Sequence, residues 1–413
     1  MYNTTIQKEW FSKGEQYARE INEMVELGEK NGWENWKGKE PEDSRENLGE
    51  EVFEMLKTAN LNNDINNFRK LFPPAHTPVI PLLKEKSQSI EHLHFIEGQK
   101  IVFLTGTSYE KRQAYLLDGD KVSKLDENIS AIGKSRQGNV FAIATDHKIS
   151  VYKGWEGKLI NEFKFISTDF GLTEITPFND GSKVLIISSG GIFLISENEN
   201  KLIHPVNEDN DEDWTSQIDM ENAALSNDNS YIVVGDQGYD HRILDQEGNT
   251  IGTIGPQSSY PHFCLFSKDD SQLITNSCHF YNGITIGIHS GQYAGVDIEA
   301  YTESDDFTFI DEEMRVYAGV AIKDYYILGD AYGYIKAFDK KGTRLWRHFL
   351  GSTISGMTVS DDETILWVAA HSGILHKLHL EKGLRDTHTI GNAKHYEEFR
   401  LLIWKDEPQV WKW

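Results

Sequence analysis

Cysteine is almost absent from this chain. Only Cys264 and Cys278 occur in 413 residues, and both fall in what read as successive strands of one repeat. No disulfide framework is implied, and the compartment reads as a reducing one. Basic residues are scarce too: 41 Lys and Arg stand against 65 Asp and Glu, giving a formal charge of -24 and a pI near 5.0. Binding to phosphate backbones or anionic lipid needs clustered Lys and Arg that displace counterions. Nucleic acid and membrane surfaces are therefore not expected partners. No apolar run is long enough to span a bilayer, and the first residues lack a basic start followed by an apolar stretch. The reading is a soluble, cytoplasmic protein.

Signatures of compact chemistry are missing as well. There is no Gly-x-Ser-x-Gly elbow, no Gly-rich loop leading into Lys-Ser or Lys-Thr, and no His-Glu-x-x-His. Asp209, Asp211 and Asp213 have the alternate spacing of a calcium loop, but Trp214 stands at its sixth position and Met220 at its twelfth, where Gly and a bidentate Glu are needed. His376 and His379 are an odd number of residues apart on one predicted strand, point to opposite faces, and cannot share a metal through it. Gly235 to His241 combines acid, base and Gly in a loop, as ordinary turns also do. No catalytic residue, metal or cofactor is expected.

What is present is repetition. From Ile90 onward a β-rich apolar run, a polar turn, a second apolar run and a hairpin ending in Gly return about every forty residues. Phe263 to Phe266 precedes Ser267-Lys268-Asp269-Asp270, Met357 to Val359 precedes Ser360-Asp361-Asp362, and Ala223 to Leu225 precedes Ser226-Asn227-Asp228-Asn229. One four-stranded sheet cannot bury both faces alone, so such units stack around an axis as the blades of a β-propeller. The predicted blades are 90–128, 129–168, 169–213, 217–256, 259–305, 306–351 and 352–391: a mainly β fold with one propeller of about seven four-stranded blades.

Before the repeats the period is helical. Ile6, Trp10, Tyr17, Ile21 and Met24 form one stripe, with Thr4 and Gln7 as a capping box. A second helix carries Val52, Phe53, Leu56 and Leu61, and a third carries Ile65, Phe68 and Leu71 and stops at Phe72-Pro73-Pro74. Val79 to Leu83, broken by Pro81, reads as a closing edge strand or a connector. The predicted organisation is a helical segment over 1–76 and a propeller over 77–413. Trp404, Trp411 and Trp413 supply a last strand or a cap.

Tyr334-Ile335-Lys336-Ala337-Phe338-Asp339-Lys340-Lys341-Gly342-Thr343-Arg344-Leu345-Trp346 resembles the strand, turn and Trp phrase of quinoprotein-type propeller repeats. The Ser-x-Asp-x turns resemble WD40 repeats, over roughly 90–391. The Gly-His and Trp-Asp pairs of WD40 blades are missing, as is a quinone site. The resemblance implies propeller architecture and a tendency to bind other proteins, and it carries no functional residue over.

Aromatics and acids mark the expected contact surface. Trp155, Trp214, Tyr239, Tyr260, His262 and Tyr281 lie in or beside predicted turns, where exposed rings anchor partners. Acidic runs at 207–213 and 303–313 suit a basic partner. The expected partner-binding residues are Asp209, Asp211, Asp213, Trp214, Tyr239, Asp305 and Asp306. The functional expectation is a non-catalytic protein-interaction propeller, in its pointed form an immunity or regulatory protein masking a basic partner such as a nuclease toxin. The alternative is a hydrolase or lyase acting on a sugar or peptide at the central channel. A funnel at one ring face lined by convergent His, Asp, Glu or Arg from several blades would favour the enzyme, and a plugged channel with acidic and aromatic loops would favour binding.

Overall fold

The computed structural model describes residues 2–125, 128–145, 148–164, 171–207, 214–383 and 385–413. Within the blades, short connections join most consecutive strands, so neighbours pair antiparallel. Seven sheets result, with strands in chain order: blades 1 to 7 cover 90–124, 131–164, 172–204, 222–254, 260–311, 316–349 and 354–402. The seven-bladed propeller follows from how their faces are buried. One apolar core lies between every adjacent pair of blades: Leu104 with Phe141 between blades 1 and 2, Ile186 with Val151 between 2 and 3, and so on to Phe103 with Trp367 between 1 and 7. Blade 7 closes on blade 1 with the same packing that joins the others.

The innermost strands are Ile90–Glu97, Ala131–Lys134, Leu172–Pro177, Asn222–Leu225, Tyr260–Phe266, Val316–Ile322 and Ile354–Val359. They run in one sense around the axis. The face where they begin is here the upper face, and the hairpins joining second and third strands lie on it. The hairpins joining first and second strands lie on the lower face.

The lower turns explain the repeated Ser-x-Asp phrase. Ser226, Ser267 and Ser360 each donate to the Asp two residues on, at 2.8, 2.8 and 2.6 Å. Each accepts the backbone N–H five residues on at 3.0 Å. The turns need a left-handed residue, supplied by Gly138, Gly181, Asn229, Asp270 and Glu363, since Gly, Asn and Asp tolerate positive φ. In the last turn that residue is Glu363.

Three boundaries differ from expectation. The outermost strand of blade 5 is Thr308–Asp311 rather than a strand ending by 305, because residues 290–307 make an excursion that lends Asp297–Ile298 to blade 4 as a parallel fifth strand. Blade 7 runs past 391, to Tyr396–Leu402, and adds Trp411–Lys412. Val79–Leu83 is not a strand: Thr77–Val79 is a 3-10 turn leading into helix Ile80–Lys86. Pro81 sits in that helix's first turn, where its missing N–H removes no intrahelical bond.

The other helices are α1 (Thr4–Asn31), α2 (Gly49–Leu61) and α3 (Ile65–Leu71). The α1 cap is Asn3, which accepts from Thr5 and Ile6 N–H, rather than a Thr4–Gln7 box. Trp10, Val52, Phe53, Leu56, Phe68 and Phe72 bury against Leu402, Trp404, Trp411 and Trp413 of blade 7, so isolated short helices gain the tertiary packing that they need. Tyr17, expected with them, is half-buried. The indole N–H groups are satisfied: Trp10 donates to Pro73 O, Trp413 to Phe72 O and Trp404 to Ser372 O, each at 2.9 Å. Among the described residues no helix is long and apolar enough to cross a membrane.

Candidate functional site

The upper face is built by one recurring bond. In five blades a residue of the second hairpin donates its N–H to the residue preceding or opening the innermost strand: Gly106 to Ser89, Ser189 to Gly171, Gln237 to Asp219, Ala331 to Arg315 and His371 to Thr353, at 2.9 to 3.4 Å. The hairpin tips are thereby held over the channel mouth. Tyr109 of blade 1 is 75% exposed, Tyr239 of blade 4 is 42%, Phe280 and Tyr281 of blade 5 are 71% and 58%, and Tyr332 of blade 6 is 55%. The lower first-to-second hairpins carry no exposed large apolar side chain among the described residues.

Two of these rings meet, and the backbone of a third residue holds an arginine. Tyr281 and Tyr332, from neighbouring blades, lie with ring centroids 5.3 Å apart. Phe280 holds a φ of 51°, a left-handed conformation that costs a bulky residue about 1–2 kcal/mol. Its carbonyl accepts from Arg315 Nη1 at 2.6 Å. The Arg315 guanidinium also lies 4.9 Å from the Tyr317 ring centroid and 3.2 Å from His262 Nε2. His262 and Tyr317 pack edge-on at 4.7 Å, and Tyr317 meets His371 at 5.9 Å.

Several titratable groups of the mouth are held by neighbouring polar groups. Arg112 pairs with Glu91 at 2.9 Å and donates to the carbonyls of Ser130 and Leu172. Glu221 accepts from the Thr173 hydroxyl, and burial holds its carboxyl above the usual range. His262 Nδ1 meets Val316 O at 2.7 Å; burial, then the Arg315 charge, lowers its pKa to about 4, so the ring is neutral at pH 7. His92 and His241 are held neutral mainly by burial, the latter down to about 3. Glu174, on the innermost strand of blade 3, is open to the channel, and the channel walls around it desolvate its carboxyl and raise it.

The sequence-derived contact residues do not form one patch. Tyr239 is exposed on the upper face, its ring edge-on to His204 at 5.5 Å. Trp214 is half-buried on the crossover from blade 3 to blade 4, whose next residues bond to upper hairpins through Ile218 N–H to Ser189 O. Asp209, Asp211 and Asp213 lie outside the described residues. Asp305 and Asp306 are exposed near the lower face, where Gln292 donates to Asp306. Of the other aromatics considered, Tyr281 and His262 join the cluster, Tyr260 is half-buried on the inner strand, and Trp155 packs edge-on Phe141 at 5.4 Å in a lower hairpin. Phe280, Tyr332, Tyr109 and Arg315 were not read as site residues. Their signal was positional: each of the first three occupies the tip of a second hairpin.

A cleft of about 670 Å³ lies elsewhere, between α1 and the outer edges of blades 6 and 7. Glu29 bridges it to Arg344 at 2.7 Å and Arg347 at 2.6 Å, which makes it a charged seam between segment and ring. Among the described residues no group of three or more His, Cys, Asp or Glu could hold a metal. Cys264 and Cys278 are buried free thiols.

No family model matches the chain, and no curated protein matches it. Among solved structures, a chain of a mitotic checkpoint complex superposes with a TM-score of 0.46 at 12% identity, over 67% of this chain and 80% of its own. The computationally designed protein Ika8 superposes with the same TM-score at 15% identity, over 71% of this chain and 97% of its own. Both superpositions are loose, and neither passes an activity or a partner to this protein.

Proposed function

We propose that this propeller recognises another protein through its upper face, without catalysis. The observation that carries the reading is the grouping of Phe280, Tyr281 and Tyr332 at hairpin tips around Arg315 and Tyr317. Large rings held on short hairpins give contact area at small entropic cost and are enriched among the residues that dominate binding energy. Arg112, Glu221 and His262 are each held by an ion pair or hydrogen bond, which favours structure over turnover. In the pointed form, the partner is basic at its periphery and meets Asp219, Asp240, Glu312 and Glu313, which are among the exposed acids of this face. An immunity or regulatory protein that masks a nuclease toxin would be built so.

One observation favours the enzymatic alternative. Glu221 and Glu174, on different blades, hold carboxyls raised by burial, a condition suited to general acid work on a sugar or peptide in the channel. Affinity capture from the native host, identification by mass spectrometry and reconstitution with the purified partner test both readings. Binding lost in the Phe280→Ala/Tyr281→Ala/Tyr332→Ala variant supports recognition by the upper face. Binding that survives it sinks that reading, and product release by the wild type that Glu221→Gln abolishes supports the alternative.

A further inference from the structure

Two arginines stand at the same channel mouth, and they differ in one respect. Arg112 is neutralised by Glu91 at 2.9 Å. Arg315 meets no carboxylate among the described residues. Its nitrogens reach His262 Nε2 at 3.2 and 3.3 Å, the Phe280 carbonyl at 2.6 Å and Met220 Sδ at 3.7 Å, and its plane lies over Tyr317. Every one of these partners is uncharged, since His262 is held neutral. In a chain with 65 acidic residues, a half-buried cation without an anion runs against the composition. Half-buried against Tyr317 and His262, the charge attracts an anion more strongly than it would in open water.

We propose that Arg315 receives a carboxylate carried by the partner polypeptide, seated between Phe280, Tyr281, Tyr317 and Tyr332. This rests on the reading of the upper face as a protein-binding surface. A carboxylate balances one guanidinium and accepts its remaining N–H groups in plane. A phosphate monoester, with nearly two charges, would bring excess negative charge beside Glu221, Glu312 and Glu313. A small free acid would leave the hairpin rings in water, whereas a peptide covers them with its flanking side chains. The partner segment thus carries one acid at its centre, apolar or aromatic neighbours, and basic groups towards the acidic periphery.

The test is selection of a random displayed peptide library on the immobilised full chain, wild type and Arg315→Gln, with thermal unfolding as the check that both are folded. Wild type is expected to enrich peptides with Asp or Glu at a fixed place, and Arg315→Gln to lose that preference. In a synthetic consensus peptide, changing the acid to its amide should weaken binding to wild type about tenfold and to Arg315→Gln less than about threefold. An acid-free consensus, or equal losses with both proteins, overturns the anchor. If that peptide still loses affinity for the Phe280→Ala/Tyr281→Ala/Tyr332→Ala variant, the upper-face reading stands without the anchor. Peptides indifferent to the triple variant, or no enrichment at all, overturn both.

Discussion

On the lower face the turns between first and second strands carry Ser, Asn and Asp and bond from blade to blade. Gln137 N–H donates to Asn179, Asn179 N–H to Asn229, and Asn227 and Asp228 N–H to Asp270, at 2.7 to 3.0 Å. On the upper face the turns between second and third strands carry Tyr and Phe, exposed, near a cation that meets no carboxylate among the described residues. The same structural unit is thus used twice. Where its polar groups are satisfied within the ring, little remains to offer a partner. Where its rings and one charge are left over, binding energy is available.

Acid should expose this difference most strongly. The upper layer holds His92, His204, His241 and His262, all with pKa values lowered chiefly by burial, His262 to about 4 and His241 to about 3. Below an unfolded pKa near 6.5 the unfolded chain takes protons that the native rings refuse. Their stability is therefore full above about pH 6.5 and is lost as pH falls toward about 4. His76, His348 and His395, buried at the seam of blades 6 and 7, act in the same sense. Asp330, raised to about 6 by burial, acts oppositely and offsets part of the loss, as do Glu221 and Asp311. In the lower belt, bonds from Ser360 and Thr364 lower Asp362. For Asp269 burial opposes ionisation, but Lys340, Ser267 and Ser271 outweigh it. Their contribution persists until pH falls below the ordinary carboxylate range. The expected result between pH 7 and 4.5 is a net loss of several kcal/mol. Hydrogen exchange, corrected for intrinsic rate, should quicken at 236–239 and 279–282 before 226–230 and 267–271. Simultaneous opening of both faces would remove the distinction.

The next largest effect separates binding from folding. Phe280→Ala with Tyr281→Ala and Tyr332→Ala should weaken partner binding by about 3 kcal/mol or more, roughly a hundredfold. The unfolding free energy should stay within about 0.5 kcal/mol per site, as for surface changes generally. Calorimetric titration and denaturant unfolding of the same preparations provide both numbers. A stability loss equal to the binding loss would make the rings packing groups after all.

Asp270→Gly probes the opposite face. Glycine keeps the φ of 56° accessible, so the change removes the carboxylate that Asn227 N–H, Asn227 Nδ2 and Asp228 N–H contact without adding strain. A loss of about 1–3 kcal/mol in stability is expected, with partner affinity unchanged. If affinity falls while stability holds, the lower face takes part in recognition.

How far the molecule could be read from its sequence follows the same division. The lower turns were legible because their chemistry is local: Ser226 and Asp228 bond across two residues, and Asn229 supplies the positive φ of its own turn. The helical stripes of Trp10, Phe53 and Phe68 were legible for the same reason. Blade 5 was misplaced at its end because its outermost strand follows an excursion of 18 residues, 290–307, that obeys no repeat. At the candidate site Tyr239 and Tyr281 were found as turn aromatics, but Arg315 was not. It looks like any residue preceding a strand, and only the ring brings it beside Phe280 and His262, from another blade. Asp305 and Asp306 show the converse: their acidity was plain, and their place near the lower face depends on the path of the excursion.

The smallest expected effect concerns that acidity. Long-range attraction accelerates encounter with a basic partner and is screened by salt. If the upper face is where encounter is productive, the acids should differ by location. Asp209→Asn/Asp211→Asn/Asp213→Asn changes the run that precedes Trp214 in the sequence, and should slow association about two- to fivefold at low salt. Asp305→Asn/Asp306→Asn, near the lower face, should slow it less than about 1.5-fold. Both variants should converge on wild type above about 0.5 M salt, where screening leaves only short-range contacts. Stopped-flow association across a salt series measures all three proteins. Equal slowing by the two sets would mean that steering depends on net charge rather than on the face, and no slowing by either would reduce the acidic runs to solubility.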